Sequence, residues 1–188
     1  DYKHQMKFCS GTISFLNQDL KQFVGKNLSF AGIITNVNHM VSKNGNPWAS
    51  FTIEDYDSGY EFRIFKEEYL KFKHFLFLQN FLHVKINFKK NFYNDDVKVS
   101  FVDMKLLSEV LDRHCEKLTL KLPLEAINEK TILDLDSILK NNKGKQSFTF
   151  LVMDQKSKTE VLLPCRNTKV NVTSELLDLL EKQQINFE

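Results

Sequence analysis

The chain has 188 residues, enough for one or two small domains, with 42% hydrophobic and 27% charged residues, an ordinary globular balance. A formal net charge of +2 excludes a global basic field, so any nucleic-acid contact has to come from local placement of charge. Three well-separated cysteines, Cys9, Cys115 and Cys165, exclude a disulfide framework and point to a reducing, cytoplasmic setting, and no apolar run reaches membrane-spanning length or reads as a signal peptide. The start at Asp1, without a methionine, leads us to expect a piece of a longer protein.

Residues 1–27 read as a linker from an upstream domain. A short helical spacing places Leu20, Phe23 and Val24 on one face before Gly25 breaks it. A first strand is predicted over about 28–42, with Gly32 as a bulge or bend. Lys43-Asn-Gly-Asn-Pro47 is a turn signal. The second strand alternates: Ala49, Phe51 and Ile53 face one way, Trp48, Ser50, Thr52 and Glu54 the other. Tyr56-Asp-Ser-Gly59 turns the chain into a third strand, where Phe62 and Ile64 oppose Glu61, Arg63 and Phe65. Residues 66–77 carry Tyr69, Phe72, Phe75 and Leu76 at helical spacing, an aromatic plug for one end of a barrel. Strands four (about 80–92) and five (about 96–107) meet at a hairpin, Tyr93-Asn-Asp-Asp96.

Strand, strand, strand, helix, strand, strand is the order of the OB-fold, a five-stranded barrel whose open face takes single-stranded nucleic acid or oligosaccharide. We therefore expect a closed OB-fold barrel over 28–107. Residues 108–115 read as a connecting helix and 116–188 as a small α+β domain. There Leu118, Leu120 and Leu122 alternate as a half-buried strand. Ile132, Leu135, Ile138 and Leu139 make a helical stripe ended near Gly144, and Phe148, Phe150 and Val152 alternate again. Separate strands follow at 159–163 and 169–172. Thr173 or Ser174 caps a last helix with Leu176, Leu177 and Leu180 buried, and Ile185-Asn-Phe187 adds an edge strand. The fold class is mainly β plus α+β.

The candidate nucleic-acid face comprises Trp48, Arg63 and Phe65 on the strands. Lys43, Asn44, Lys89, Lys90, Phe92, Tyr93 and Lys98 stand on the flanking loops. Rings stack on bases and lysines follow phosphates, the composition a single-strand groove needs. Against this, residues 28–105 hold ten Lys/Arg and nine Asp/Glu, and Asp95 and Asp96 sit at the hairpin tip. Neither Asp55-Tyr-Asp57 nor Asp134-Leu-Asp136 reads as a metal site. The first lies on a turn, where Asp serves local hydrogen bonding, and on a helix i and i+2 point apart. The five histidines lack ligand spacing, no catalytic constellation is present, and no cofactor is expected.

Phe30-Ala-Gly-Ile-Ile-Thr-Asn-Val37, Val41-Ser-Lys-Asn-Gly45, Phe51-Thr-Ile-Glu-Asp55 and Glu61-Phe-Arg-Ile-Phe65 resemble the OB domain of bacterial replicative DNA polymerase III alpha subunits. Glu68-Tyr-Leu-Lys-Phe72 and Met104-Lys-Leu-Leu107 fit the same template. Leu118-Thr-Leu-Lys-Leu122, Lys169-Val-Asn-Val-Thr-Ser-Glu-Leu-Leu177 and Ile185-Asn-Phe187 resemble that subunit's C-terminal domain. Asp1-Tyr-Lys-His4 resembles the segment just upstream. The resemblance implies a DNA-directed DNA polymerase as parent, working with magnesium in domains that this chain lacks. It also implies two roles for the chain itself: contact with single-stranded template DNA by the OB domain, and binding of the clamp-loader tau subunit by the C-terminal domain. The sliding clamp would be reached through the parent protein. DNA contact maps to Lys43, Arg63 and the Lys89–Lys98 hairpin; the tau surface maps to 116–188, with Lys143, Lys145, Arg166 and the final helix as candidates. Gln18 to Phe23 is only loosely similar to a clamp-docking peptide and reads as an amphipathic turn. Two alternatives share the pattern: a protein-interaction module whose OB face never meets DNA, and a tRNA anticodon-binding OB domain, which expects a synthetase domain downstream.

Overall fold

A computed structural model describes residues 2–91 and 96–188. The chain forms two compact units, residues 1–110 and 111–188.

The first unit is a five-stranded antiparallel sheet. A short helix, α1 (Lys3–Met6), and two 3-10 turns precede β1 (Asn27–Val41), β2 (Pro47–Glu54) and β3 (Gly59–Phe65). Helix α2 (Lys66–Phe72) then leads to β4 (Phe81–Lys90) and β5 (Val97–Leu106). The order in the sheet is β3-β2-β1-β4-β5, so β1 is central and pairs with both β2 and β4. Alternation decides which side is core. Phe30, Phe51, Ile53, Phe62, Ile64, Val84, Ile86 and Phe88 are all buried, and the sheet coils around them. Phe72 and Leu76 close one end as expected, with Tyr69 and Phe75 packed beside them.

Three differences from the sequence reading have physical causes. The barrel is not closed: among the described residues no ladder joins β3 to β5, and the two edge strands meet through the edge-to-face rings of Phe62 and Phe101, 5.5 Å apart. The bulge in β1 falls between Ile34 and Asn36, not at Gly32. Gly32 instead marks a close approach, because a Cβ there would strike the Glu54 carbonyl oxygen and lie 2.6 Å from Ile53 Cγ2. Finally, residues 1–27 are not a bare tether. Ile13 and Leu16, 0% and 2% exposed, belong to the same core as the sheet. The Ile13 amide donates to Asp55 Oδ2 at 2.7 Å.

The residues expected to connect the units form a 3-10 turn, Leu107–Glu109, running into α3 (Val110–His114). The second unit continues with β6 (Lys117–Pro123), α4 (Glu129–Asn141), β7 (Lys143–Asp154), β8 (Thr159–Val170), α5 (Ser174–Lys182) and β9 (Asn186–Phe187). The sheet order is β8-β7-β6-β9. β6 and β7 are parallel, joined through α4, whereas β8 and β9 run antiparallel to their neighbours. Leu118, Leu120, Leu135, Leu139, Phe148, Leu176, Leu177 and Leu180 form its core. The separate strands read at 159–163 and 169–172 are one strand, β8. Its register with β7 slips between Ser147 and Thr149, so Cys165, Arg166, Asn167 and Thr168 bulge out of the ladder. A proline inside that strand, Pro164, is tolerated because β8 is an edge and one side of it needs no donor.

Candidate functional site

Residues directly opposite in an antiparallel ladder share a face, so register alone assembles the outer surface of the first unit. Three cross-strand rows result. Met40, Trp48 and Phe65 form one, Asn38, Ser50 and Arg63 the next, and Asn36, Thr52 and Glu61 the third. The first row is aromatic. The Trp48 and Phe65 rings are stacked with centroids 5.4 Å apart and planes 15° apart. Phe65 is 50% exposed. The other rows offer short amides and hydroxyls, with Asn38 Nδ2 3.4 Å from Asn36 Oδ1.

Two shallow grooves flank this face. One, about 570 Å³, runs over Met40, Lys43, Asn46, Trp48, Phe65 and Lys66. The other, about 670 Å³, fills the open gap between β3 and β5 and is lined by Arg63, Phe65, Lys66 and Lys98. Phe65 and Lys66 are common to both. Lys66 holds a φ of 48°, a left-handed conformation that a non-glycine residue adopts at a cost and that recurs at functional sites. His39 fixes the helix that follows, with its ring nitrogens 3.1 Å from the Tyr69 hydroxyl and 3.2 Å from the Leu76 carbonyl.

Of the residues expected to contact nucleic acid, the structure groups Lys43, Trp48 and Phe65 along one groove and Arg63, Phe65 and Lys98 along the other. Asn44 is exposed in the β1–β2 turn but lines neither groove. Lys89 pairs across the ladder with Lys98, and Lys90 with Val97, at the outer end of β4. Phe92, Tyr93 and the hairpin tip lie outside the described residues. The charge of the second groove is balanced, because Glu61, Glu67 and Glu68 line it beside Arg63, Lys66 and Lys98, and Arg63 Nε sits 3.3 Å from Glu61 Oε1. Sequence reasoning missed Asn36, Asn38, Met40 and Lys66. The period-two pattern of β1 would have placed the first three on the outer face, had the bulge at Thr35 been known.

The aspartate pairs serve local structure. Asp55 Oδ1 accepts from the amides of Asp57 and Ser58, at 3.0 and 2.9 Å, and Asp136 Oδ2 receives Lys140 Nζ at 2.7 Å. Burial raises the Cys9 thiol to about 11 and pushes the Cys115 thiol upward, the reverse of what a nucleophile needs.

The second unit has its own groove, about 820 Å³, between α4 and the β7–β8 ladder. Ile132, Leu135, Phe150, Val152 and Leu163 form its apolar floor, with Lys143, Arg166 and Lys169 on its rim. Lys143 and Arg166 are two of the three cations expected to meet a partner; the third, Lys145, is exposed on β7 and lines no part of it. Residues 118–188 match the family model described as DNA polymerase III alpha subunit, C-terminal domain. The second unit belongs to this family.

A search among curated proteins returns no match. The polymerase III alpha C-terminal domain begins at Leu118, in the first strand of the second sheet, and runs to Glu188. The match covers residues 118–188 and supports a C-terminal region of a bacterial DNA polymerase III alpha subunit for that part of the chain. An anticodon-binding OB domain would be followed by a synthetase domain, and the alpha C-terminal domain stands there instead. Among the described residues no helix is long and apolar enough to cross a membrane.

Proposed function

We propose that the chain is a template-guiding and partner-docking tail of a replicative polymerase. The first unit, on this reading an OB domain, holds single-stranded template DNA loosely. The polymerase III alpha C-terminal domain docks the tau subunit of the clamp loader. Magnesium and the sliding clamp belong to the parent polymerase. The observation that carries the DNA role is the stack of half-buried Trp48 on exposed Phe65, beside a row of amides and hydroxyls on an open sheet face. Every base has a π-face, so such a platform binds without reading sequence, at about 1–3 kcal/mol per stacked base. The balanced charge of the neighbouring groove keeps the affinity modest.

Fluorescence anisotropy with labelled oligothymidine at low salt tests this. Replacing Trp48 or Phe65 by Ala weakens binding by about fivefold to a hundredfold each. Lys89→Ala with Lys90→Ala flattens the salt slope by about 0.7 for each phosphate no longer neutralised; an unchanged slope removes the hairpin from the interface. Absence of any binding to the unaltered chain would favour the rival reading, an interaction module whose outer face is covered by protein. The observation behind that rival is the same charge balance, three acidic against three basic side chains in the β3–β5 groove.

A further inference from the structure

Helices α4 and α5 do not cover the whole of the second sheet. Their leucines, Leu135, Leu139, Leu176, Leu177 and Leu180, are buried in the core. Along the edge strand the cover ends, and Leu163, which lines the groove, is 49% exposed. On the helix side of the same gap Ile132 is 56% exposed. Apolar area left open on both walls of a groove is a binding feature rather than a packing accident.

Charge at the rim selects the occupant. Asp136 is already engaged by Lys140. Lys143, Arg166 and Lys169 have no ion pair with a carboxylate among the described residues. The bulge in β8 is what puts Arg166, Asn167 and Thr168 into the lining, since those residues leave the ladder there. A bulge that re-aims side chains at a sheet edge is a recurrent binding device. The floor is mainly aliphatic, Phe148 is buried and Phe150 half-buried, so no exposed ring offers a platform for bases. An apolar floor with a cationic rim fits a peptide with one apolar and one acidic side.

We propose that this groove takes an acidic, amphipathic peptide segment of a partner protein. Its apolar side lies on Ile132, Phe150 and Leu163, and its carboxylates meet Lys143, Arg166 and Lys169. The inference rests on the docking role assigned above to the C-terminal domain and names the chemistry of what docks.

Three probes are titrated into the full chain: the tau subunit, a labelled synthetic amphipathic peptide with glutamates on its polar face, and its twin with lysines. The same titrations follow on Arg166→Glu with Lys169→Glu, on Ile132→Asp, and on Lys145→Glu as a control outside the groove. All altered positions are exposed, and thermal melts confirm that each variant folds. We expect the glutamate peptide to bind about tenfold or more tighter than the lysine twin. Both groove variants should lose about tenfold or more for that peptide and for tau, while the control changes less than about twofold. Tau binding that survives both groove variants overturns the groove assignment and leaves the docking role standing. Tau that never binds, with glutamate-peptide binding that the groove variants abolish, upholds the groove and removes tau as the partner. Equal binding of the two peptides or no binding of any probe overturns the proposal.

Discussion

Gly32 shows how a single residue sets where two strands can meet. It lies where β1 passes from its ladder with β4 to its ladder with β2, since Gly32 faces Leu82 and Ile33 faces both Phe81 and Glu54. A side chain there would strike the backbone of Glu54, which is held in the sheet and cannot swing aside. Gly32→Ala therefore costs about 1–3 kcal/mol through forced separation of the strands. Chemical denaturation measures it, and a loss below about 0.5 kcal/mol would show that the strands yield freely. The sequence marked this glycine as special but not for the right reason. A glycine inside a strand signals either a bulge or a close approach, and only the register separates the two. Here the bulged residue is Thr35, whose hydroxyl bonds Glu54 Oε1 at 2.8 Å.

At the scale of elements, the helices of the C-terminal domain are fixed by their first turns. Thr173 is extended and its hydroxyl accepts from the Leu176 amide at 3.2 Å, while Asn128 Oδ1 accepts from the Thr131 amide at 3.0 Å. Thr173→Ala removes an N-cap at the helix that supplies three buried leucines, and costs about 1 kcal/mol. Thr173→Asn should keep most of that stability, a contrast thermal melts can read. The cap was legible because a hydroxyl residue stood immediately before an apolar helical stripe. The strands with clean alternation, β2 and β3, were legible for the same kind of reason: one face is buried, so period two is written into the residues. What could not be read were the pairings. Closure of the first sheet depends on whether β3 and β5 meet across some forty residues, and local pattern carries no term for that. The continuity of β8 was hidden by Pro164 and the polar run Arg166-Asn-Thr168, which look like a break. They are tolerated because the strand is an edge and bulges there. The same bulge makes part of the basic rim of the groove, so that candidate site was only half visible: Lys143 and Arg166 through the family resemblance, Lys169 and the apolar floor as part of a site not at all.

For the molecule as a whole, the two cores set where the chain can be divided. The first core includes the sheet of 27–106 and also Ile13 and Leu16, which precede it by many residues. Fully burying an aliphatic side chain contributes about 1.5–3 kcal/mol, so removing both withdraws about 3–6 kcal/mol from a unit whose total stability is on the order of 5–15 kcal/mol. The loss of the Ile13 amide bond to Asp55 also frees the β2–β3 turn that the carboxylate organises. A fragment 28–110 should therefore unfold at clearly lower denaturant than 1–110. It would test DNA binding unfairly, because an absent signal could reflect an unfolded sheet. The division that respects both cores is 1–110 against 111–188. With that pair, oligothymidine binding should follow 1–110 and tau capture should follow 111–188. Trp48→Ala should weaken only the first activity and Arg166→Glu with Lys169→Glu only the second. Equal stability of 28–110 and 1–110 would return residues 1–27 to the role of a tether; activities that appear in the opposite halves would reverse the assignment of template guidance and partner docking to the two units.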